Sequence, residues 1–294
     1  DDNLIDTYTS LLNSYLNNNQ EEDKKKIKLD QNEHFKLYQK INNNAIFYVI
    51  CIVCTFFKLC YNISRGVHIM QIVYIILLIL LSYILGSIPT GLILGKVFKG
   101  IDIREHGSGN TGATNAVRVL GFKIGIWAFV FDFLKGGFVM GLLWFFKWEQ
   151  FYILTPFNTE ILYGFVAVIG HVFPVYIGFK GGKAMATTAG VILFIEPLIA
   201  LLAIIAFLIV FLKNRIVSIA SLSAAGITLL LMILRPLLYS LFPSFFAGLT
   251  SKGLETYALE SIVIVIIAVI ILYRHISNLK RLGQGKEFIF KRKQ

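Results

Sequence analysis

Long apolar stretches alternate with polar loops over most of the chain. From Met70 onward they cover residues 70–95, 124–146, 161–179, 188–212, 216–234, 236–249 and 258–273. Several of them reach or exceed the ~18 apolar residues that cross a bilayer as a helix. The pattern therefore predicts an all-α, polytopic integral membrane protein with seven transmembrane helices after Met70.

The first part of the chain differs in character from the rest. Residues 1–44 are polar and rich in Asn and Lys, which is typical of low-complexity segments that bury little apolar surface. Residues 45–63 form one marginal apolar segment, interrupted by Lys58, that is a candidate for an extra apolar N-terminal helix. We predict an extension over 1–69 and a membrane-embedded domain over 70–294.

Composition and charge support the membrane assignment. Hydrophobic residues make up 56% of the chain and charged residues 15%, against roughly 25% charged residues in a typical soluble domain. The net charge is +11, and because acidic and basic residues balance within 1–69, the whole excess lies in 70–294. A basic face beside lipid favours anionic lipids or a phosphorylated substrate over nucleic acid.

Three basic segments set the predicted orientation: the loops 96–123 and 179–187 and the tail from Arg274. An excess of Lys and Arg places such segments on the cytoplasmic side. The second loop and the tail share a side only if an even number of crossings separates them. Counting 236–249 as a crossing gives four, whereas a re-entrant 236–249, the alternative for this short segment, gives three and sends the tail outside. The count of four puts Met70 on the outer side. It also puts the basic pair 213 and 215 there, which runs against the preference of basic residues for the cytoplasmic side.

The first basic loop contains a candidate anion-binding turn. It reads Gly107-Ser108-Gly109-Asn110-Thr111-Gly112 and continues through Asn115 to Arg118. A dinucleotide fold would need a strand before the glycines, which the surrounding apolar segments do not provide. Glycines allow backbone N–H groups to face an anion, and Arg118 can hold phosphate through two N–H groups. An ordinary glycine-rich reversal is the alternative that this loop alone leaves open.

Two further clusters carry cations beside glycine or amide groups. The second loop reads Lys180-Gly181-Gly182-Lys183, without the spacing of a nucleotide-binding P-loop. In the tail, His275 and Asn278 share one face of a helix, and Glu287 is an acid among cations. Three such clusters on one side of the membrane predict a site for phosphorylated groups next to the hydrocarbon core.

Three polar residues inside the apolar segments have structural interpretations. Asp132 and Lys135 are spaced to neutralise one another, which lowers the cost of placing either charge in lipid. His171 lies within the third span, where neutral packing is the favoured interpretation.

These motifs resemble the bacterial acyl-phosphate:glycerol-3-phosphate acyltransferases of the PlsY type. The matching strings, in family order, are Gly86–Gly91, Asp102-Ile103-Arg104 with Gly107–Asn115, Gly170-His171 with Phe173-Pro174, Gly178–Lys183, and Arg274-His275 with Asn278 and Glu287. The seven-helix fold of that family agrees with the count above. One departure is Ala184, where the family usually has glycine.

The resemblance implies transfer of a fatty acyl group from acyl phosphate to the sn-1 hydroxyl of glycerol 3-phosphate, giving lysophosphatidate and phosphate. It implies catalytic roles for Ser108, Arg118, His275, Asn278 and Glu287. The implied substrate-binding residues are Arg104, Gly107, Gly109, Asn110, Thr111, Gly112, Asn115, Lys180, Gly181, Gly182, Lys183 and Arg281. We expect no cofactor, no metal and no covalent acyl-enzyme, and a plasma-membrane protein with its active site on the cytoplasmic face.

Two other classes of membrane protein, a second acyltransferase class and anion transporters, fit the sequence less well. The other large class of glycerolipid acyltransferases uses a His-x-x-x-x-Asp motif, and no Asp follows His106, His171 or His275 at that spacing. A transporter of a phosphorylated or anionic substrate would normally show an internal repeat and charges at the middle of its helices. No convincing repeat is present in the sequence.

Overall fold

The computed structural model describes residues 69–149, 153–154, 157–244 and 252–290. The predicted extra helix over 45–63 lies outside the described residues. The described helices are α1 Ile69–Ser87, α2 Thr90–Lys99, α3 Ala113–Leu120, α4 Phe122–Phe145, α5 Glu160–Val172, α6 Met185–Ile195, α7 Pro197–Asn214, α8 Val217–Leu241 and α9 Leu254–Gly283. Two short strands, β1 Ile153–Leu154 and β2 Phe157–Asn158, pair antiparallel between α4 and α5.

Five of the described helices are long and apolar enough to cross a membrane: α4, α5 with the turn that follows it, α7, α8 and α9. Helices α1 and α2 make a sixth crossing if the pair, bent by 44° at its break, counts as one span. Helix α6 is apolar but has only 11 residues. The helical, multi-pass membrane architecture is thus confirmed, whereas the count of seven crossings stays a prediction.

The predicted span 188–212 is wrong, because the chain forms two helices there. Helix α6 ends at Ile195, and α7 begins at Pro197 after Glu196, whose φ of −144° and ψ of 77° are not helical. Proline has no backbone N–H and disfavours helical geometry in the residue before it, but it fits the first position of a helix. The apolar run therefore contains a helix boundary that its hydropathy does not reveal.

The predicted start of a separate span at residue 236 is also wrong. Helix α8 continues through Pro236 as far as Leu241, while residues 245–251 lie outside the described residues. Pro236 cannot donate the hydrogen bond that the carbonyl of Met232 would receive in a regular helix. The hydroxyl of Ser261 on α9 lies 2.6 Å from that carbonyl oxygen and 2.8 Å from the carbonyl oxygen of Tyr257, so its one proton can replace the missing donor when it points to Met232.

Side-chain contacts define two ends of the bundle formed by α6 to α9. Lys183 contacts Asn278, and Ser218 contacts Glu287, so the start of α6, the start of α8 and the end of α9 lie together at what we call the site end. Phe290 N–H donates to the carbonyl of Arg215 at 2.9 Å, which places Arg215 at this end too. The predicted location of Lys213 and Arg215 across the membrane from the tail is therefore wrong.

The opposite end of the same bundle holds a network of charges, of which Arg235 and Glu260 are buried. Glu196, at the junction of α6 and α7, contacts Arg235 near the end of α8. Arg235 lies 3.1 Å from Glu260 on α9, and Lys252 lies 2.8 Å from Glu260 and 3.3 Å from Glu160. We call these five residues the ion cluster. It joins α5, α7, α8 and α9 by charges that are paired with one another, and this pairing lowers the cost of taking them out of water.

Helices α4 and α6 approach closely because each has a glycine at the contact. A Cβ atom at Gly136 would meet the backbone of Thr187, and one at Gly190 would meet the backbone of Phe133. Small residues at such contacts let helices pack tightly without a water-driven hydrophobic effect. The contact fixes the short helix α6 next to the site end.

Candidate active site

A cavity of about 530 Å³ lies among α3, α4 and the four helices α6 to α9. Its polar wall at the site end includes Ser108, Asn110, Gly112, Asn115, Arg118, Lys183, His275, Asn278 and Glu287. The rest of its wall consists mainly of apolar side chains of α6 to α9 and extends away from the site end as an apolar arm. Its size is in the range of small-molecule sites.

The first loop is folded around the side chain of Asn115, which is only 1% exposed. The Asn115 carbonyl oxygen accepts a hydrogen bond from Ser108 N–H at 2.8 Å. Its amide group donates to the carbonyls of Ile103 and Asn110, both at 2.9 Å, and of His106 at 3.1 Å. The loop uses the hydrogen-bonding groups of this amide, so Asn115 shapes the site rather than presenting its amide to a substrate.

The loop glycines serve the backbone path. Gly107 and Gly109 have φ of +63° and +70°, which side chains with a Cβ rarely adopt. Gly112 precedes the first turn of α3 and lines the cavity together with Ser108 and Asn110. Thr111 is buried and faces a small space behind the cavity.

Arg104 lies apart from the cavity. Its guanidinium pairs with Asp102, with a shortest distance of 2.6 Å. Hydrogen bonds from Arg104 hold the pKa of Asp102 at about 2, well below its usual range. The structure therefore does not bring this predicted substrate-binding residue to the others.

Arg118 lines the cavity beneath two aromatic rings that sequence reasoning missed. Its guanidinium carbon lies 4.1 Å from the ring centre of Phe288 and 5.7 Å from that of Phe290. Burial lowers the pKa of Arg118, with the nearby Glu287 opposing that effect, and an arginine remains charged throughout the physiological range. The stacked rings hold its charge beside the cavity.

The glycine pair of the second loop is engaged within the protein. Gly181 N–H donates to the carbonyl of Val172 and Gly182 N–H to that of His171, both at 3.1 Å. Their carbonyls in turn accept hydrogen bonds from Arg274, another residue whose role sequence reasoning missed. Glycine is needed here for close packing, because a Cβ atom at Gly182 would meet the ring of His171.

The two lysines of the second loop differ in position. Lys180 is exposed and does not line the cavity, whereas Lys183 lines it and donates to the side-chain carbonyl of Asn278. Burial, with the positive charge of Arg281 as the next cause, lowers the pKa of Lys183 to about 8. Ala184, at the family's glycine position, has a left-handed φ of +57°, which suits glycine better than alanine.

Glu287 joins the third cluster into one network. It accepts hydrogen bonds from Asn278 at 2.7 Å, from Ser218 at 3.0 Å and from Arg281 at 2.9 Å. Arg281 reaches the site through this carboxylate and does not itself line the cavity. Ser218, at the start of α8, is a further member that the sequence did not single out.

His275 lies one helical turn from Asn278 and is 2% exposed. Its Nδ1 is 2.8 Å from the carbonyl oxygen of Ile271. A carbonyl can only accept, so Nδ1 carries a proton, and in the neutral ring Nε2 is the atom that accepts. His275 can therefore receive a hydrogen bond from a hydroxyl in the cavity.

A buried polar group lies at the side of the cavity on α4 and α5. Asp132 and Lys135 form the expected ion pair at 2.8 Å, and Thr90 donates to Asp132 at 2.6 Å. His171 Nδ1 lies 3.6 Å from the same carboxylate oxygen. The prediction that Asp132 and Lys135 neutralise each other is confirmed.

Comparison with known proteins identifies the family to which the chain belongs. The family model described as glycerol-3-phosphate acyltransferase matches residues 76–285. The chain belongs to this family. A glycerol-3-phosphate acyltransferase of Streptococcus equi subsp. equi is 41% identical over 213 residues, covering 72% of this chain and 91% of the relative. One from Bacillus subtilis is 41% identical over 208 residues, covering 71% and 93%.

Solved structures of the family share the fold. Crystal structures of PlsY, an integral membrane glycerol 3-phosphate acyltransferase, match in a glycerol 3-phosphate form with a TM-score of 0.59 and in a lysophosphatidic acid form with a TM-score of 0.57. Both are 35% identical to this chain and cover 74% of it and 96% of their own length. The resemblance stated from the motifs is thus confirmed at the level of the family.

Proposed function

We propose that this protein transfers a fatty acyl group from acyl phosphate to the sn-1 hydroxyl of glycerol 3-phosphate. The acyl C–O bond to the donor phosphate breaks, and an ester bond to the glycerol oxygen forms. The hydroxyl proton leaves with the departing phosphate, so the products are lysophosphatidate and inorganic phosphate. The names of the relatives support the acceptor, and the shape of the cavity supports an amphiphilic donor.

The observation that carries the proposal is the combination of a cationic end and an apolar arm in one cavity. Arg118 and Lys183 lie at the polar end, where a phosphate would find two cations. The arm is lined by side chains such as Ala189, Ile192 and Ile267. Phosphate is too polar for that arm, and an acyl chain gains nothing from the cations, so a molecule that carries both groups fits best.

The route of entry is consistent with a lipid-like donor. Three residues on the rim of the cavity, Phe129 on α4 and Ile204 and Leu208 on α7, are exposed on the surface of the helices. In a bilayer that surface contacts acyl chains. A donor can therefore reach the cavity sideways from the membrane while glycerol 3-phosphate enters from water.

The reaction needs little from the protein beyond the alignment of its two substrates. An acyl phosphate is an activated anhydride, so holding two anions together and stabilising their charge accounts for catalysis. His275 then orients the acceptor hydroxyl, Asn278 positions Lys183 beside it, and a substrate phosphate takes the hydroxyl proton. Ser108 lies on the same polar wall and can donate to a phosphate oxygen.

We further propose that this site faces the cytoplasm at the plasma membrane. The site end carries most of the basic side chains that flank the spans, among them Lys180, Lys183, Arg215 and Arg274. The excess of positive charge at that end favours the cytoplasmic side.

Purified protein in detergent, given palmitoyl phosphate and labelled glycerol 3-phosphate, tests the proposal. We expect labelled lysophosphatidate and inorganic phosphate in equal amounts. Arg118→Ala and Lys183→Ala should each raise the acceptor KM strongly or abolish turnover, since a charge-assisted contact contributes about 1.5–3 kcal/mol. Lys180→Ala is the matched control and should retain wild-type kinetics.

Two results would contradict the proposal. Turnover with an acyl thioester but not with acyl phosphate would overturn the donor. Uptake of labelled glycerol 3-phosphate into proteoliposomes, without any acylated product when acyl phosphate is present, would favour the transporter instead.

A further inference from the structure

The apolar arm of the cavity ends at four buried residues on four helices. They are Ile192 on α6, Ala200 on α7, Thr228 on α8 and Ile264 on α9. All four are buried within the protein, so the arm ends inside the bundle. We call these residues the floor of the arm.

The depth of the arm corresponds to one leaflet of a bilayer. On α8 the cavity wall runs from Ser218 at the polar end to Thr228 at the floor. These ten residues of helix rise ~15 Å at 1.5 Å per residue. That is half of the ~30 Å hydrocarbon thickness, which is the depth that an ordinary membrane acyl chain fills.

The floor is supported by the ion cluster. Ala200 is four residues after Glu196, and Ile264 is four residues after Glu260, so these two floor residues each lie one helical turn from a carboxylate of the cluster. Between Thr228 and Arg235 lies Met232, which is 1% exposed and packs in the core. An acyl chain longer than the arm would have to displace Met232 and then meet the buried ion pair of Arg235 with Glu260.

We propose that this floor sets the acyl-chain length that the enzyme accepts, an inference that rests on the proposed function. A chain that ends at the floor buries its whole length. A longer chain must leave methylenes outside or disturb the contacts between Arg235, Glu196 and Glu260, and breaking buried ion pairs is costly. Thr228 and Ala200 at the floor, with Met232 packed behind it, are then the residues that determine chain length.

Changes of volume at the floor test the proposal in both directions. Ala200→Phe fills the end of the arm. The ratio of its kcat/KM with palmitoyl phosphate to its kcat/KM with decanoyl phosphate should fall by about tenfold or more, because each excluded methylene lowers the affinity by about fourfold. Met232→Ala opens space behind the floor and should raise the ratio for stearoyl over palmitoyl phosphate. Thr228→Leu acts in the same direction as Ala200→Phe from another helix, in case that variant does not fold.

Neighbouring residues that face lipid provide the controls. Leu201 is 52% exposed and next to Ala200, and Leu230 is 56% exposed on the same helix as Met232. Leu201→Phe and Leu230→Ala should leave both ratios at the wild-type value.

Wild-type ratios in every folded floor variant would overturn the proposal while leaving the acyltransferase activity intact. Absence of turnover by the wild-type protein with every acyl phosphate would instead overturn the proposed function. A shift of the ratios in the control variants equal to that in the floor variants would also overturn the assignment to the floor.

Discussion

The ammonium of Lys183 donates a hydrogen bond to the side-chain carbonyl of Asn278, 95 residues further along the chain. The amide group of Asn278 donates in turn to Glu287 at 2.7 Å. One neutral side chain thus lies between a cation and an anion and positions both. We expect Asn278 to act on the acceptor through Lys183.

Replacing Asn278 by alanine should therefore weaken acceptor binding. Asn278→Ala removes the acceptor that orients Lys183, and the loss of a hydrogen bond to a charged group corresponds to about 1.5–3 kcal/mol. The acceptor KM should rise by roughly tenfold or more. Lys280→Ala, a change at an exposed position on the same helix, serves as control. An unchanged KM in folded Asn278→Ala would contradict the role of this contact.

Activity should depend on pH through Lys183. Its pKa of about 8 means that the ammonium is charged below that pH and neutral above it. Because phosphate needs the charged form, kcat/KM for glycerol 3-phosphate, which reports the free enzyme, should fall as pH rises through about 8.

Lys183→Arg provides the comparison for that profile. An arginine stays charged, so this variant should keep its kcat/KM to higher pH even if its absolute value is lower. Identical pH profiles for the wild-type protein and Lys183→Arg would show that another group titrates.

His275→Gln distinguishes an orienting group from a general base. Glutamine keeps a hydrogen-bonding group but cannot take a proton near pH 7. If His275 orients the hydroxyl, turnover should persist with a higher acceptor KM. A fall of several orders of magnitude in kcat, with both substrates still bound, would instead identify His275 as the base.

Gly182→Ala should damage the site by steric contact. The added Cβ atom would meet the ring of His171, so either this ring or the loop that carries Lys183 must move. We expect reduced turnover and a lower Tm, measured in the same detergent. Gly226→Ala on α8 is the control, because a Cβ atom there meets nothing within 4 Å and alanine favours a helix by about 1 kcal/mol. Equal behaviour of the two variants would argue against the packing role.

A chain that starts at Met70 should insert into the membrane and remain active. The family model matches residues 76–285, and residues 1–44 are low in apolar content. The measurement is acyl transfer by membranes that contain equal amounts of the shortened and the full chain. Normal insertion with loss of activity would show that the extension takes part.

Features that depend on local spacing were predictable from the sequence. The ion pair of Asp132 with Lys135 and the shared face of His275 and Asn278 follow from the period of a helix. Hydropathy also identified the membrane-embedded segments, but not the helix boundary at Pro197, because α6 and α7 are equally apolar. A proline has opposite effects within a helix and at its start, and the hydropathy of the surrounding run does not distinguish them.

Features that depend on the folded chain were not predictable. Nothing in the spacing of Phe288 and Phe290 indicates that they lie over Arg118, 170 residues earlier. The family resemblance implied that Gly181 and Gly182 bind substrate, and nothing in the sequence indicated that their N–H groups donate within the protein. Such pairings arise from tertiary contacts between α5, α9 and the tail, which no local pattern encodes.

The position of Glu287 after α9 has a consequence for biosynthesis. Because Glu287 and Phe288 follow the last described helix, the ribosome makes them after the residues of every membrane span described here. A nascent chain that has already inserted α1 to α8 holds Arg118 and Lys183 without the carboxylate and ring that complete their surroundings. Catalytic competence is therefore acquired late in synthesis, and chains that terminate before Glu287 should be inactive even when they are inserted in the membrane.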